Sequence, residues 1–122
     1  MRRFASDVLS AREIEVRFSA PDAEGSRKLD SDLRRQLYLV FKEAINNVSR
    51  HAQATRVEID LRLDGNAAIL EVRDNGRGFD PEDAGAGNGL NSLRGRAQRL
   101  RGTFSIESGK GNGTRLIFRA PL

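Results

Sequence analysis

The sequence lacks cysteine and tryptophan and contains a single histidine among its 122 residues. Without cysteine, the chain forms no disulfide bonds and no cysteine-ligated metal sites. No run of residues approaches the roughly 18 consecutive apolar residues that a membrane-spanning helix needs. No apolar stretch near Met1 resembles a signal peptide. We therefore expect a cytoplasmic domain that makes no membrane contact itself, a description that also fits the cytosolic part of a membrane-bound sensor.

Aromatic residues are also scarce, at 6% of the chain, although the formal net charge is +4. A basic protein can bind nucleic acid, but binding of single strands favours basic residues that alternate with stacking rings. The arginines here are dispersed and form no such stripe, so we predict scattered surface charge and no nucleic-acid partner. The remaining composition, 38% hydrophobic and 31% charged, is typical of one compact soluble domain.

Hydrophobic periodicity predicts two main helices. A long helix is expected over residues 31–52, with Asp30 or Ser31 capping its first turn. A shorter helix is expected over residues 90–100, and Gly102 is placed to end it.

Alternation of apolar and polar residues predicts five strands. They cover residues 13–19, 57–63, 67–73, 103–107 and 115–119. Residues 1–12 form a weak helical segment that is compatible with the end of a preceding helix in a longer protein. The order of these elements predicts an α+β fold, a two-layer α/β sandwich in which a mixed sheet of about five strands carries its helices on one face.

The long helix carries polar residues beside its apolar stripe. At about 100° per residue, a glutamine, a carboxylate, an amide and a cation fall within one narrow arc: Gln36, Glu43, Asn47 and Arg50. On this segment alone, a solvated helix face is the favoured interpretation. The functional alternative is a set of polar groups that project together at the edge of the core.

Three glycine-containing segments follow. DNGRGF at residues 74–79 comes directly after a strand, and it indicates either a turn or a carboxylate followed by glycines that let a flat ligand approach the backbone. GAGNGL at residues 85–90 precedes a helix, whose free N–H groups favour an anion. GKGNGT at residues 109–114 indicates a hairpin loop when taken alone. Residues 74–89 as a whole are typical of a long functional loop.

The order of these segments resembles the GHKL ATPase superfamily, which includes histidine kinases, DNA gyrase, mismatch-repair ATPases and a heat-shock chaperone. The shared order is E-x-x-x-N in a helix, D-x-G-x-G after a strand, G-x-G-L opening a helix, and G-x-G-T before a terminal strand. EAINNVSRHAQA, DNGRGF, GNGLNSLRGRAQRLRG and GNGTRLIFRAPL look most like the kinases that signal to NarL-type response regulators. The resemblance covers residues 4–121, and it implies one Bergerat-type catalytic domain over residues 1–122.

The resemblance implies a role for each matching residue. Glu43 matches the acidic residue that assists the attacking nucleophile, and Asn47 matches the asparagine that binds Mg2+ bridging the ATP phosphates. Asp74 matches the residue that accepts a hydrogen bond from the adenine amine, and Thr114 matches the threonine that touches adenine, often through water. The other matches fall into three groups. They are the basic positions near the phosphates, Arg50 and His51; the glycines beside the base, Gly76 and Gly78; and the residues of the lid, Gly87, Asn88, Gly89 and Leu90.

The implied function is ATP binding and transfer of the γ-phosphoryl group to a histidine on a dimerisation helix that is not present in this chain. His51 matches an ATP-binding position and not that phosphoacceptor. The implied partners are the dimerisation and histidine-phosphotransfer helices of the parent kinase and a downstream response regulator, and the isolated domain is expected to be monomeric. The cofactors implied are ATP and Mg2+.

Two alternatives stay open at this point. One is a serine kinase resembling anti-sigma-factor kinases, against which the patterns of the lid and of the helix over residues 90–100 argue. The other is a non-catalytic ATP-binding regulatory module, against which Glu43 and Asn47 argue. Asn88 and Gly95 depart from the pattern, because similar kinases often have a histidine and an acidic residue at these places. Because of these departures, the lid and the helix over residues 90–100 match the family pattern less closely, but no residue that the resemblance implies as a ligand is lost.

Overall fold

The computed structural model describes residues 2–22, 25, 27–51, 54–76, 90–108 and 113–122. Within these residues the elements, in chain order, are α1 (Arg2–Ser10), β1 (Glu15–Ser19), α2 (Ser31–His51), β2 (Arg56–Asp64), β3 (Ala67–Asp74), α3 (Leu90–Arg99), β4 (Thr103–Ser108) and β5 (Thr114–Pro121). None of the helices in these parts of the chain combines the length and the apolar character that a membrane crossing requires.

The strands form one mixed sheet in the order β1-β2-β3-β5-β4. β1 runs parallel to β2, and the other neighbours are antiparallel. The hairpin between β2 and β3 turns through Gly65, whose φ of 59° is a conformation that glycine adopts readily. The α+β architecture expected from the order of the elements is confirmed.

The core lies on the face of the sheet that the helices cover. Strand register brings apolar side chains into rows across this face, for example Ile59, Val72, Leu116 and Ile106. The apolar stripe of α2 packs onto these rows, and Leu37, Phe41 and Ile45 are fully buried there. Val40 of α2 is fully buried as well.

Helix α1 contributes to the same core. Ala5 and Leu9 are fully buried, and the ring of Phe4 packs edge-on against Phe41 at 6.1 Å between centroids. In the turn that follows the helix, Glu13 adopts a left-handed φ of 60°. The N–H of Ile14 then bonds the carbonyl of Leu9 at 2.9 Å, which satisfies a carbonyl left open by the helix. α1 is therefore packed as part of this domain.

The ends of α2 and α3 show which residues do the capping. Asp30 caps α2, because its Oδ1 accepts the N–H of Leu33 at 2.7 Å. At the end of α3 it is Arg101, with φ 56°, that takes the left-handed conformation, and not Gly102. Gly102 is needed for space instead, since a Cβ there would overlap the carbonyl oxygen of Arg119 on β5.

Candidate functional site

A row of polar side chains crosses one end of the helix-facing side of the sheet. Asp74 of β3 pairs in register with Thr114 of β5, and Thr114 pairs with Ser108 of β4. The next pairs along the same face are apolar, beginning with Val72 and Leu116. Strand alternation therefore places three polar groups where the apolar core ends, at the ends of three neighbouring strands.

Asp74 is the most buried member of this row, with only 7% of its surface exposed. Its Oδ1 accepts the backbone N–H of Gly76 at 2.8 Å, and its carboxylate also accepts the backbone N–H of Thr114. Burial raises the pKa of Asp74, and these two hydrogen bonds only partly oppose that rise. A carboxylate offers about four acceptor positions, so Asp74 can accept a further N–H from a ligand.

Thr114 and Ser108 are joined by their hydroxyl groups. The Oγ of Ser108 lies 2.9 Å from the Oγ1 of Thr114, and it donates to the carbonyl oxygen of Gly113 at 3.1 Å. Gly113 has a φ of 73°, and a Cβ there would overlap the carbonyl oxygen of Asp74. A glycine is therefore required to bring β5 this close to the end of β3.

Asn75 fixes the backbone immediately after Asp74. Its Oδ1 accepts the N–H groups of Thr55 and Arg56, both at 2.9 Å, and its Nδ2 donates to the Oγ1 of Thr55 at 2.8 Å. These bonds tie the end of β3 to the start of β2. The sequence suggested turn chemistry for this asparagine, but it did not suggest a partner 20 residues away.

Helix α2 presents the second part of the site. Glu43 and Asn47 are both half-buried and lie one helical turn apart. The Oε2 of Glu43 accepts from the Oγ of Ser92 in the first turn of α3, at 3.3 Å. Further along the same seam, Gln36 accepts from Nη1 of Arg96, also at 3.3 Å. Two members of the polar arc predicted on this helix, Gln36 and Glu43, thus contact α3 and are not only part of a solvated face.

The structure brings together some of the predicted site residues and leaves others outside its description. Asp74, Gly76 and Thr114 share one end of the sheet, and Glu43 and Asn47 share one face of α2. Arg50 and His51 lie in the last turn of α2 and Leu90 begins α3, but their side chains are outside the described part. Gly78, predicted beside the base, and the lid positions Gly87, Asn88 and Gly89 fall outside the described residues altogether.

Sequence reasoning missed three residues of the site. Ser108 and Gly113 flank the loop that joins β4 to β5, so the hairpin register alone would have paired Ser108 with Thr114. Asn75 carried a weaker signal, because its partners lie opposite it at the far end of the long β2–β3 hairpin.

The chemistry of these groups fits a purine nucleotide with its metal. A buried acceptor such as Asp74 suits the amino group of a base. A side-chain amide oxygen such as that of Asn47 suits magnesium, which takes few protein ligands and completes its shell with phosphate and water. The same arrangement can therefore hold the base at the end of the sheet and a phosphate-bound cation beside α2.

The fold is similar to that of solved histidine kinases. The Erythrobacter litoralis EL346 blue-light activated histidine kinase matches with a TM-score of 0.82 at 22% identity, over 99% of this chain and 40% of that chain. The histidine kinase domain from the same protein matches with a TM-score of 0.75 at 23% identity, over 99% of this chain and 58% of that chain. The Acinetobacter baumannii histidine kinase AdeS matches with a TM-score of 0.74 at 19% identity, over 98% of this chain and 59% of that chain. This chain thus spans from 40% to 59% of the length of these proteins, which share its fold.

The family comparison covers the elements that build the site. A family model described as histidine kinase-, DNA gyrase B-, and HSP90-like ATPase matches residues 32–122, which include all but the first residue of α2, the polar row of the sheet and α3. The GHKL resemblance of the sequence segments is thereby confirmed, and an ATPase domain of this kind binds ATP. The chain belongs to the histidine kinase-, DNA gyrase B- and HSP90-like ATPase family.

Proposed function

We propose that this chain is the catalytic domain of a sensor histidine kinase that signals to a NarL-type response regulator. It transfers the γ-phosphoryl group of Mg2+-bound ATP to a histidine on a dimerisation helix outside this chain. The position of Glu43 carries the proposal. Its carboxylate accepts from Ser92 at the start of α3, directly after the segment 85–89 that the sequence pattern associates with phosphates.

The nucleotide is bound by residues of two elements. Asp74 accepts from the exocyclic amine of adenine, and Thr114 supports the same edge of the base. Asn47 would supply one oxygen ligand to magnesium, which takes few protein ligands and otherwise binds phosphate oxygens and water. Magnesium, when bound, neutralises charge on the phosphates. The nucleotide would therefore extend from the end of the sheet towards α2.

Glu43 acts on the incoming nucleophile. It lies one turn before Asn47, so its carboxylate faces the phosphate side of the site without holding the metal. There it orients the imidazole of the acceptor histidine or accepts its proton. Such assistance typically contributes about 10²–10⁴ in rate. A purely structural hydrogen bond to Ser92 would contribute only about 0.5–1.5 kcal/mol to stability and nothing to transfer.

The test is single-turnover transfer of labelled γ-phosphate, at saturating ATP, to a fragment of the parent kinase that carries the dimerisation helices. Glu43→Gln keeps the shape and removes the charge. We expect transfer to fall at least about a hundredfold, with ATP affinity and melting temperature near those of the parent. Glu58→Gln, at an exposed position of β2, is the matched control and should transfer at the parent rate.

Each of the other outcomes would point to a different role for Glu43 or a different function for the chain. If Glu43→Gln transfers at the parent rate, Glu43 is not the base. If the parent chain phosphorylates a serine protein and no histidine fragment, it is a serine kinase of the anti-sigma-factor type. If it binds ATP and transfers to neither, it is a regulatory module. The cytoplasmic location and the monomeric state of the isolated domain belong to this proposal, and sedimentation of the isolated chain measures the second of them.

A further inference from the structure

One member of the polar row has no role in the proposed chemistry. Ser108 lies on β4, opposite Thr114, on the helix-facing side of the sheet. It is half-buried, and its Oγ contacts both the carbonyl oxygen of Gly113 and the hydroxyl of Thr114. Ser108 thus stands in the same row as Asp74, with Thr114 between them.

The number of hydrogens decides how this row is polarised. A serine hydroxyl has one hydrogen, and Ser108 donates it to the carbonyl oxygen of Gly113 at 3.1 Å. The geometry of the 2.9 Å contact between the two hydroxyl groups allows either to donate. Because the Ser108 hydrogen is assigned to Gly113, Thr114 takes the donor role in this contact. The Oγ1 of Thr114 keeps lone pairs for a ligand but has no hydrogen left to give it.

The neighbouring groups are polarised in the same sense. The backbone N–H of Gly76 is directed to the carboxylate of Asp74 at 2.8 Å, and the backbone N–H of Thr114 also favours the charged form of this carboxylate. The carboxylate and the Thr114 hydroxyl therefore both act as acceptors at this edge of the site. An amino group on a base finds acceptors there, whereas a carbonyl group in the same place finds no donor from these two residues.

We propose that Ser108 is a specificity-determining positioning residue, which holds the Thr114 hydroxyl as an acceptor and so favours adenine over guanine. This inference rests on the proposed contact of Asp74 and Thr114 with the base. Adenine presents an amine at the position where guanine presents a carbonyl oxygen. Its ring nitrogen, itself an acceptor, is reached from Thr114 through a water that donates to both. Without Ser108, the Thr114 hydroxyl can turn and donate to the guanine carbonyl.

The alternative is that Ser108 only stabilises the end of the β4–β5 hairpin. Its loss would then lower the melting temperature and weaken both nucleotides by the same factor. The ratio of the dissociation constants for GTP and ATP separates the two roles, because a purely structural change leaves this ratio as it is.

The experiment is calorimetric titration of the 122-residue chain with ATP and with GTP, alongside nucleotide-free melting curves. Ser108→Ala should lower the ATP preference by about fivefold or more, the smaller end of what one unmatched polar group is worth. Ser108→Thr, which keeps the hydroxyl, should retain the preference. Ser105→Ala is the matched control, since Ser105 lies on the other face of β4 and is exposed.

A second background shows whether Ser108 acts through Thr114. In Thr114→Val, which has no hydroxyl to orient, adding Ser108→Ala should change the preference by less than about twofold. If Ser108→Ala does not fold, Ser108→Thr and Ser108→Val form an equivalent pair, because they share a shape and differ only by the hydroxyl.

Two results would overturn the inference. One is a folded Ser108→Ala chain, or Ser108→Val in its place, that keeps the parent preference. The other is a loss of preference that is equally large with and without the Thr114 hydroxyl. If the parent chain itself does not prefer ATP, or if Thr114→Val binds both nucleotides as the parent does, the proposed base contact fails first and this inference fails with it.

Discussion

Strand β3 carries two carboxylates three residues apart, on opposite faces of the sheet, and their surroundings differ in kind. Asp74 faces the helices and Glu71 faces away from them, yet only 7% and 9% of their surfaces are exposed. Glu71 is surrounded by guanidinium groups. It accepts from Arg73 at 2.8 Å and from two nitrogens of Arg115 at 3.2 Å each, and Arg62 lies 3.5 Å away.

The pKa values of the two carboxyl groups shift in opposite directions. Burial raises the pKa of Asp74, and the neutral N–H groups of Gly76 and Thr114 offset it only in part. Burial would also raise the pKa of Glu71, but the hydrogen bonds and charges of the arginines, led by Arg115, bring it below the usual range. A carboxylate saturated by cations is a structural group. One that is buried among neutral donors keeps acceptor capacity, which is what a binding site needs.

The largest effect should come from the backbone contact on which Asp74 depends. Gly113→Ala forces a left-handed conformation on alanine and also brings its Cβ against the carbonyl oxygen of Asp74. We expect the free energy of unfolding to fall by about 2–5 kcal/mol. Gly65→Ala is the control at the other end of β3. Its φ is similar, but a Cβ there meets nothing within 4 Å, so about 1–2 kcal/mol is expected. Urea unfolding measures both, and equal losses would mean that the close approach at Gly113 is unimportant.

The next largest effect is on ATP affinity, which should depend on Asp74 and not on Glu71. Asp74→Ala should weaken ATP binding by about 5–150-fold, because the base amine loses its acceptor in a closed site. Glu71→Ala removes a carboxylate from the same strand, but from the face that carries the arginines, and should change ATP affinity by less than about twofold. Calorimetric titration of both variants decides the matter. Comparable losses would show that Asp74 acts on the strand and not on the nucleotide.

The sequence predicted much of this arrangement because its signals are local. The long helix was predicted over residues 31–52 and runs over Ser31–His51, since its cap and its apolar stripe are both written in consecutive residues. Asp74 and Thr114 could be placed at strand ends for the same reason. Gly102 was correctly placed at a helix end, but its purpose there is close packing against β5, which no local pattern reveals.

The contacts around Glu71 could not be predicted from the sequence, because they depend on the order of the strands in the sheet. β3 reads as AAILEVRD, and the neighbours of its glutamate come from β2, from β3 itself and from β5. Only the order β2-β3-β5 brings Arg62 and Arg115 to Glu71 from opposite sides. Ser108 and Asn75 escaped attention on different grounds, because each bonds the facing strand of its own hairpin through side-chain contacts that a hydrophobic pattern does not specify.

The smallest expected effect is the dependence of stability on pH, in which the two carboxylates should differ in sign. The folded-state pKa of Asp74 is raised, so its contribution to stability is present below the ordinary carboxyl pKa and is lost as pH rises through the raised value. The folded-state pKa of Glu71 is lowered, so its contribution is present above the ordinary pKa and is lost as pH falls through the lowered value.

Asp74→Asn should therefore gain stability relative to the parent as pH rises from the ordinary carboxyl range, whereas Glu71→Gln should lose it over the acidic side of that range. For Glu71 the change should be on the order of 1 kcal/mol or less, because its arginine partners are largely exposed to solvent. Urea unfolding of the nucleotide-free parent and both variants, from a pH of about 3 to about 8, measures the difference curves. Added salt should flatten the Glu71 curve more than the Asp74 curve, since only Glu71 is paired with exposed charges. Difference curves that slope in the same direction would remove the distinction between a carboxylate held by cations and one left open for a ligand.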